Sequence, residues 1–571
     1  MRSLFSTSLI AITLILSSWA HCVSAQAPDT PASMDDAFAA IVIGDFKGLV
    51  DGVSGIVNQV MPGMGAMIPA QVGGFFGDPQ LSGFEEGDGV VGIIFPGDLT
   101  VAFAEVNEDQ HEAYIQKCSE SGLQAASVGS VLVLSDDPVG IETGKKIANE
   151  VVENLLTENP NPSLHALVHV PKIMKTYRKE IDGFIEGLPQ MMEQGMAASA
   201  TKEDMAEGMG KFLEAEVYFV YNLASQLDIF EVELSPGQDG ISLEVSFMPA
   251  ENTNFQTLLA ESKGGDVSKM VSMVPADGAI RAEAGYDVAA LQDYTKKEID
   301  KILTQVDWPQ EEKDELKSLA DPYLKVYGSG FVASMLGDEG GDTFMTGYYL
   351  CDVENPDEAV EFFKEMNSQF DAMGLTNLYD SMGIEMTFEF KENVKEHQGI
   401  PIHQLAMNMD LSKMENADKE GMADLMKAFS NFTYDVCIVD GYLAYTVGGS
   451  SIETLIDLIK KGGDPSIPPL ASKKHFGEGG SYYGDLSLEG YLRMFTSIMK
   501  GMPQEDESFG EVMKQIESVK SVFAGAPPIS AGLFADREQA KFKLYIPSLL
   551  LQKVSQAVMG VMMSAGASGG N

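Results

Sequence analysis

The sequence predicts an α+β protein of two homologous halves, each an antiparallel sheet with helices packed mainly on one face. Three observations carry this. Residues 441–462 read as strand, glycine turn and amphipathic helix, and the unit recurs 311 residues upstream, where Ile141-Glu142-Thr143 stands under Ile452-Glu453-Thr454. Further strands and helices flank both copies in the same order, the mark of an internal repeat. The strands alternate and are joined by short Gly, Pro and Asp turns, which argues for hairpins and against a parallel sheet.

The repeated unit has a physical logic. Tyr442–Val447 alternates and is rich in aromatic and β-branched residues, and Gly448-Gly449 breaks it. Ser450 with Glu453 forms a capping-box pattern. Ile452, Leu455, Ile456 and Ile459 recur at helical spacing, so one face is apolar. Lys460 and Lys461 favour the C-terminal end of the helix dipole, and Gly462-Gly463 stops it. In the first copy, Val131–Ser135 is the strand and Asp137-Pro138 the helix start.

In chain order, residues 1–25 read as a signal peptide, with Arg2, an apolar run centred on 9–16 and small residues Val23-Ser24-Ala25, and cleavage is expected after Ala25 or Ala27. The first repeat spans 26–263. A strand over 39–44 leads through Asp45 to a helix bearing Phe46, Leu49, Val50, Val53, Ile56 and Val57. Residues 61–84, rich in Gly and Met, read as irregular. A hairpin over 90–95 and 100–106, a helix over 109–118 and the repeated unit follow. A strand over 163–170 precedes a helix begun by Pro171, a Met-rich helical stretch covers 191–224, and a second hairpin spans 228–247. A short helix over 255–262 closes this half.

The second repeat spans 264–571. Strand 279–285, Asp287 and helix 288–306 mirror the start of the first half. Strands 331–336 and 343–353 and helix 356–366 mirror its next hairpin and helix. An insertion at about 371–434 holds strands 385–391 and 400–408 and a helix near 419–429. After the repeated unit come strand 481–486, helix 488–498, strands 528–534 and 541–546, and the helix 548–563, with Leu549, Leu550, Val554, Val558 and Val561 on one broad face.

Composition excludes some functions. The 571 residues carry 85 acids against 38 bases, a formal charge of -47, so nucleic acid is not an expected partner. No stretch after the signal peptide has the ~18 apolar residues of a membrane span. Cys118, Cys351 and Cys437 remain after cleavage, an odd number and no disulfide framework; Cys351 and Cys437 lie in strands of one half, where pairing stays open against the simpler reading of buried thiols.

Candidate chemistry is sparse. His165 and His169 have ligand-like spacing, but on a strand four residues span ~13 Å, too far for one ion. His397 and His403 read as surface residues of the insertion. The stretch Gly140–Lys145 is one residue short of a phosphate loop, and Lys146 stands where Ser or Thr would hold magnesium. Acidic turns at 85–88 and 337–342 lack the spacing of a calcium loop and read as solvated turns. Met191, Met192, Met196, Met205 and Met209 line either helix core or an adaptable apolar groove. No catalytic, cofactor-binding or metal-binding residue is assigned, and no cofactor.

The order of strand and helix around His397-Gln398-Gly399, Asp440-Gly441, Gly448-Gly449-Ser450-Ser451 and the strand–helix from Ser481 resembles exported bacterial proteins built from a repeated domain of unknown function. The resemblance covers about residues 279–500 best and implies no activity. The leading expectation is a secreted or periplasmic, non-enzymatic binding or envelope-associated protein, with a protein partner or apolar ligand. The rivals are an exported hydrolase with an acidic site and a carrier with a Met-lined groove.

Overall fold

A computed structural model describes residues 31–568, apart from 32, 77, 98, 121, 158–160, 185–186, 188–213, 216, 263, 307, 312, 315–316, 318–325, 338–344, 369–383, 411–430 and 501–506. The chain is mixed α/β with extensive antiparallel sheet. It divides into two compact units, residues 1–186 with 227–251, and residues 187–226 with 252–571. The signal-peptide stretch, residues 191–209 of the Met-rich stretch, the inserted helix near 419–429 and the acidic turn beyond Gly337 lie outside the described residues.

The first unit runs β1 (Ala39–Ile43), α1 (Phe46–Val60), α2 (Met67–Phe76), β2 (Val90–Ile94), β3 (Thr100–Glu105), α3 (His111–Glu120), β4 (Gln124–Val128), β5 (Val131–Ser135), α4 (Pro138–Val151), β6 (Leu164–His169), α5 (Val170–Thr176), β7 (Leu227–Gly237) and β8 (Gly240–Pro249). Its strands lie antiparallel in the order β4-β5-β3-β2-β1-β6-β7-β8. Asp45 caps α1 by accepting the Gly48 amide, and Asp137 caps α4 through the Val139 amide with Pro138 in the first turn, where no amide is missed.

The second unit contains α6 (Asn254–Glu261), β9 (Ile280–Gly285), α7 (Val288–Gln305), β10 (Tyr327–Gly337), β11 (Met345–Val353), α8 (Pro356–Lys364), β12 (Glu385–His397), β13 (Ile400–Asp410), β14 (Asn431–Val439), β15 (Tyr442–Val447), α9 (Ile452–Lys461), α10 (Ala471–Phe476), β16 (Tyr482–Leu486), α11 (Leu488–Lys500), α12 (Glu507–Val522), β17 (Ile529–Ala535), β18 (Ala540–Pro547) and α13 (Ser548–Ser568). Its order is β12-β13-β14-β15-β11-β10-β9-β16-β17-β18, again antiparallel throughout. From β14 onward this is the strand order of the first unit, and the β12–β13 hairpin extends one edge.

Helices pack on both faces of each sheet, which corrects the one-face expectation. On one face of the first sheet α4 packs Ile141, Ile147 and Val151 over Val91, Phe103 and Val133. On the other, Phe46 and Val50 of α1 and Tyr114 of α3 cover Ala104 and Leu132. The second sheet repeats this, with α9 over Val332, Leu350 and Ala444, and α8 over Cys351, Leu405 and Leu443. Val131–Ser135 and Tyr442–Val447 are apolar at nearly every position, as strands buried on two sides must be.

Other differences have local causes. Residues 61–84 are not wholly irregular. Helix α2 forms there, and its packing residues are Ile68 and Val72; a helix apolar on all sides shows no stripe in sequence. Strand β4, α10 and α12 were not foreseen, and β12 runs on to His397 rather than ending at Lys391. The α9 cap is Ser451, not Ser450: its Oγ accepts the Thr454 amide and donates to Glu453. Gly462 ends α9 at φ 77°, a left-handed position open to glycine at little strain. On α13 only Leu550 of the expected stripe is fully buried, while Leu549, Val554 and Val558 are exposed. Cys118, Cys351 and Cys437 are all buried free thiols, and burial pushes the Cys351 and Cys437 thiols up to about 12.

Ile456 of α9 is fully buried. Ile456→Ala is expected to cost about 2–5 kcal/mol in urea unfolding. Ser451→Ala is expected to cost about 1 kcal/mol, and Ser450→Ala less than about 0.5 kcal/mol.

Candidate functional site

Register places the site. In the first sheet one row of core-facing residues crosses from β5 to β8 as Val133, Phe103, Val91, Val42, His165, Glu233 and Glu244. In the second sheet the equivalent row is Ala444, Leu350, Val332, Glu283, Tyr483, Gly532 and Lys543. Glu283 therefore stands where the first unit has Val42. In the next row Arg281 stands for Ala40, and Asp485 for Leu167.

Glu283 is 2% exposed, so its charge cannot be solvated and needs a partner. Lys473 of α10 supplies it, with Nζ 3.1 Å from Glu283 Oε1, and also donates to Ser268 Oγ at 3.0 Å and pairs with Glu478 at 3.1 Å. Its ammonium lies 5.5 Å from the centroid of the Tyr483 ring. The Tyr483 hydroxyl donates to the Gly477 carbonyl and accepts the Gly480 amide, both at 2.7 Å, which anchors the loop after α10. Burial pushes the Glu283 carboxyl above the usual range despite Lys473. Burial also works against the Lys473 ammonium, but Glu283 and Glu478 outweigh it and hold Lys473 above its ordinary value. The desolvation cost thus falls mainly on the deeper partner. Glu283 Oε2 is buried without a hydrogen bond.

Beside this pair, Asp485 is held by three donors. Its Oδ2 accepts the Ala471 amide at 2.5 Å, and Oδ1 accepts the Ser472 amide at 2.8 Å and the Ser530 hydroxyl at 3.1 Å. Arg281 donates through Nη2 to the Pro468 carbonyl at 3.1 Å. Burial holds the Arg281 guanidinium below its ordinary value, against the charges of Asp485, Glu283 and Asp277. Arg281 and Asp485 line a cleft of about 440 Å³ whose other walls include Ala276, Pro468, Pro469, Lys474 and Pro528.

The residues singled out in sequence fall elsewhere. His165 and His169 belong to one strand, as expected. His165 Nε2 lies 2.7 Å from Ser163 Oγ, and Nδ1 lies 3.3 Å from Glu231. This has the connectivity of a Ser–His–acid triad, yet Ser163 is only 1% exposed, so a substrate carbonyl has no approach to its hydroxyl in this conformation. His403 corrects the surface reading: it is buried, stacks on Phe390 and accepts the Asn393 amide. His397 joins Asp457 of α9 at 2.6 Å, with Gln398 donating to the same carboxylate. The phosphate-loop look-alike Gly140–Lys145 is helix. A Cβ at Gly140 would meet Ser135 Oγ at 2.1 Å, and one at Gly144 would meet Val133 at 2.3 Å, so these glycines serve close helix–sheet packing. Asp88 closes the 85–88 turn by accepting the Glu85 amide.

Sequence reading passed over Arg281, Glu283, Lys473 and Asp485. Arg281 and Glu283 alternate with Ala282 and Ala284, which reads as a solvent face. The signal lay in comparing the halves, where β1 has Ala40 and Val42 at those places. Among the described residues no three His, Cys, Asp or Glu side chains converge to hold a metal ion, and no helix is long and apolar enough to cross a membrane. The chain matches no protein-family model, no curated protein and no solved structure.

Lys473→Met alone leaves Glu283 buried and unpaired and is expected to cost about 3–5 kcal/mol in urea unfolding. Glu283→Val with Lys473→Met restores the apolar row of the first unit and is expected to return stability close to wild type. Hydrogen bonding to Glu231, then the nearby carboxylates, raises His165 above its ordinary value against desolvation. That stabilisation is fully present below about pH 6.5 and is lost as pH rises through the raised folded value. His165→Leu should therefore cost more stability at pH 5.5 than at pH 9, read from paired urea titrations.

Proposed function

We propose that the chain is an exported, non-enzymatic binding protein made by duplication of one α+β unit, with a ligand cleft in the second unit. The observation that carries this reading is the substitution of Arg281, Glu283 and Asp485 for Ala40, Val42 and Leu167 at matched register. The scaffold closes with apolar residues there, so the charges are not a requirement of the fold, and burying them is costly. Charge retained at a cost beside a cleft points to recognition. The common strand order, the matched helices α4 and α9 and the Asp caps at Asp45 and Asp287 support the duplication. Export rests on the signal-peptide pattern of residues 1–25 and on the resemblance to exported bacterial repeat proteins. A second reading, attachment to the envelope, draws support from α13, which exposes Leu549, Val554, Val558 and Met559.

Natively purified protein is expected to release a small molecule on denaturation, detected by mass spectrometry of the extract, and Ala276→Trp protein, whose cleft is filled, is expected to release none. Turnover of ester or glycoside substrates that disappears in Asp485→Asn would replace this reading with the hydrolase.

A further inference from the structure

Taking the cleft as the binding site, the free valences of its side chains specify a ligand. Asp485 has both oxygens engaged by the Ala471 and Ser472 amides and the Ser530 hydroxyl, so it is not poised to recognise a cation. No ion pair within 4.0 Å ties Arg281 to Asp485 among the described residues. The guanidinium uses Nη2 on the Pro468 carbonyl. Its remaining donors make no hydrogen bond among the described residues, although the side chain is half-buried. A guanidinium in this state favours a planar acceptor that takes two parallel N–H bonds. Exposed Lys474 at the same cleft adds a second positive charge. The remaining wall offers Pro468, Pro469 and Pro528, rigid apolar surface that loses little entropy on binding. The volume of about 440 Å³ is that of a small-molecule site.

We propose that this cleft binds a free amphiphilic carboxylate, its head on the Arg281 guanidinium and its apolar body against the prolines. The net charge of -47 repels anions at long range, so recognition here is by short-range hydrogen bonding and not by steering. The inference rests on the binding reading given above, and the controls separate the two.

The test is calorimetric titration of the full chain with octanoate, octanamide and acetate, for wild type, Arg281→Met, Arg281→Lys and Ala276→Trp, with circular dichroism and urea midpoints confirming that each variant is folded. Octanoate is expected to bind saturably and at least ~10-fold more tightly than either octanamide or acetate. Arg281→Met is expected to remove that advantage over octanamide, Arg281→Lys to keep part of it, and Ala276→Trp to abolish octanoate binding. Octanamide binding as tightly as octanoate, yet lost in Ala276→Trp, would overturn the carboxylate assignment and leave the cleft as the binding site. Octanoate failing to bind, or binding equally to Arg281→Met, would also overturn it. A small molecule still released from Ala276→Trp protein would overturn the cleft itself.

Discussion

One buried carboxylate, Glu283, dictates where Lys473 must sit in the second unit. Glu283 sits on β9, between β10 and β16, at a place with no access to water. A carboxylate there is tolerable only with a cation at hydrogen-bond distance, and Lys473 comes from 190 residues away. Lys473 reaches Glu283 only because residues 462–480 form a connection with its own helix, α10. In the first unit the corresponding passage from α4 to β6 carries one further helical turn, Val152–Leu156, in place of such a helix. Helix α10 gives its first two amides to Asp485, and the loop after it gives the Gly480 amide to the Tyr483 hydroxyl. Glu283, Asp485 and Tyr483 are thus three anchors for one segment.

The placement of the polar groups follows from how the sheets are covered. Helix α4 packs over β3, β4 and β5, and α9 over β14 and β15, so each shields one half of its sheet. Beyond that shield the row turns polar in both units, at His165, Glu233 and Glu244 in the first and at Glu283 in the second. In the second unit α10 covers β16 and β17, so the charges lie between two helical covers rather than at an open surface. Such a boundary is half-dry, and a hydrogen bond made there counts for more than one made in water.

Much of the fold was legible. Strand 131–135 and the helix after it, the four buried positions Ile452, Leu455, Ile456 and Ile459, and the caps at Asp45 and Asp287 each follow from local pattern. What stayed hidden was whatever local pattern does not encode. Helix α2 shows no stripe because apolar residues surround it, and β4 shows little signal because Ala125, Ala126 and Ser127 lack β-formers. The second helical layer left its sign in the near-continuous apolar runs of Val131–Ser135 and Tyr442–Val447, which alternation alone does not describe. The site was least legible of all. Alternating Arg281 and Glu283 with alanines is what a half-exposed strand looks like, and only the pairing of Glu283 with Val332 shows that it faces the core.

Comparing the units turns this illegibility into an inference. Within one chain two sheets of the same strand order act as controls for each other, since packing demands at matched register are alike. Where both units keep apolar residues, as at Val91 and Val332 or Phe103 and Leu350, packing alone accounts for them. Where one keeps Val42 and the other carries Glu283 with Lys473, packing does not. Glu283 is the costly member of the pair: without Lys473 its carboxylate is buried and unpaired, whereas Lys473 also pairs with Glu478 and donates to Ser268. Beside that pair stands Arg281, whose donors beyond the one on the Pro468 carbonyl make no hydrogen bond among the described residues, in a cleft walled by Pro468, Pro469 and Pro528, so the polar cluster marks the place where the two sheets differ for reasons other than packing.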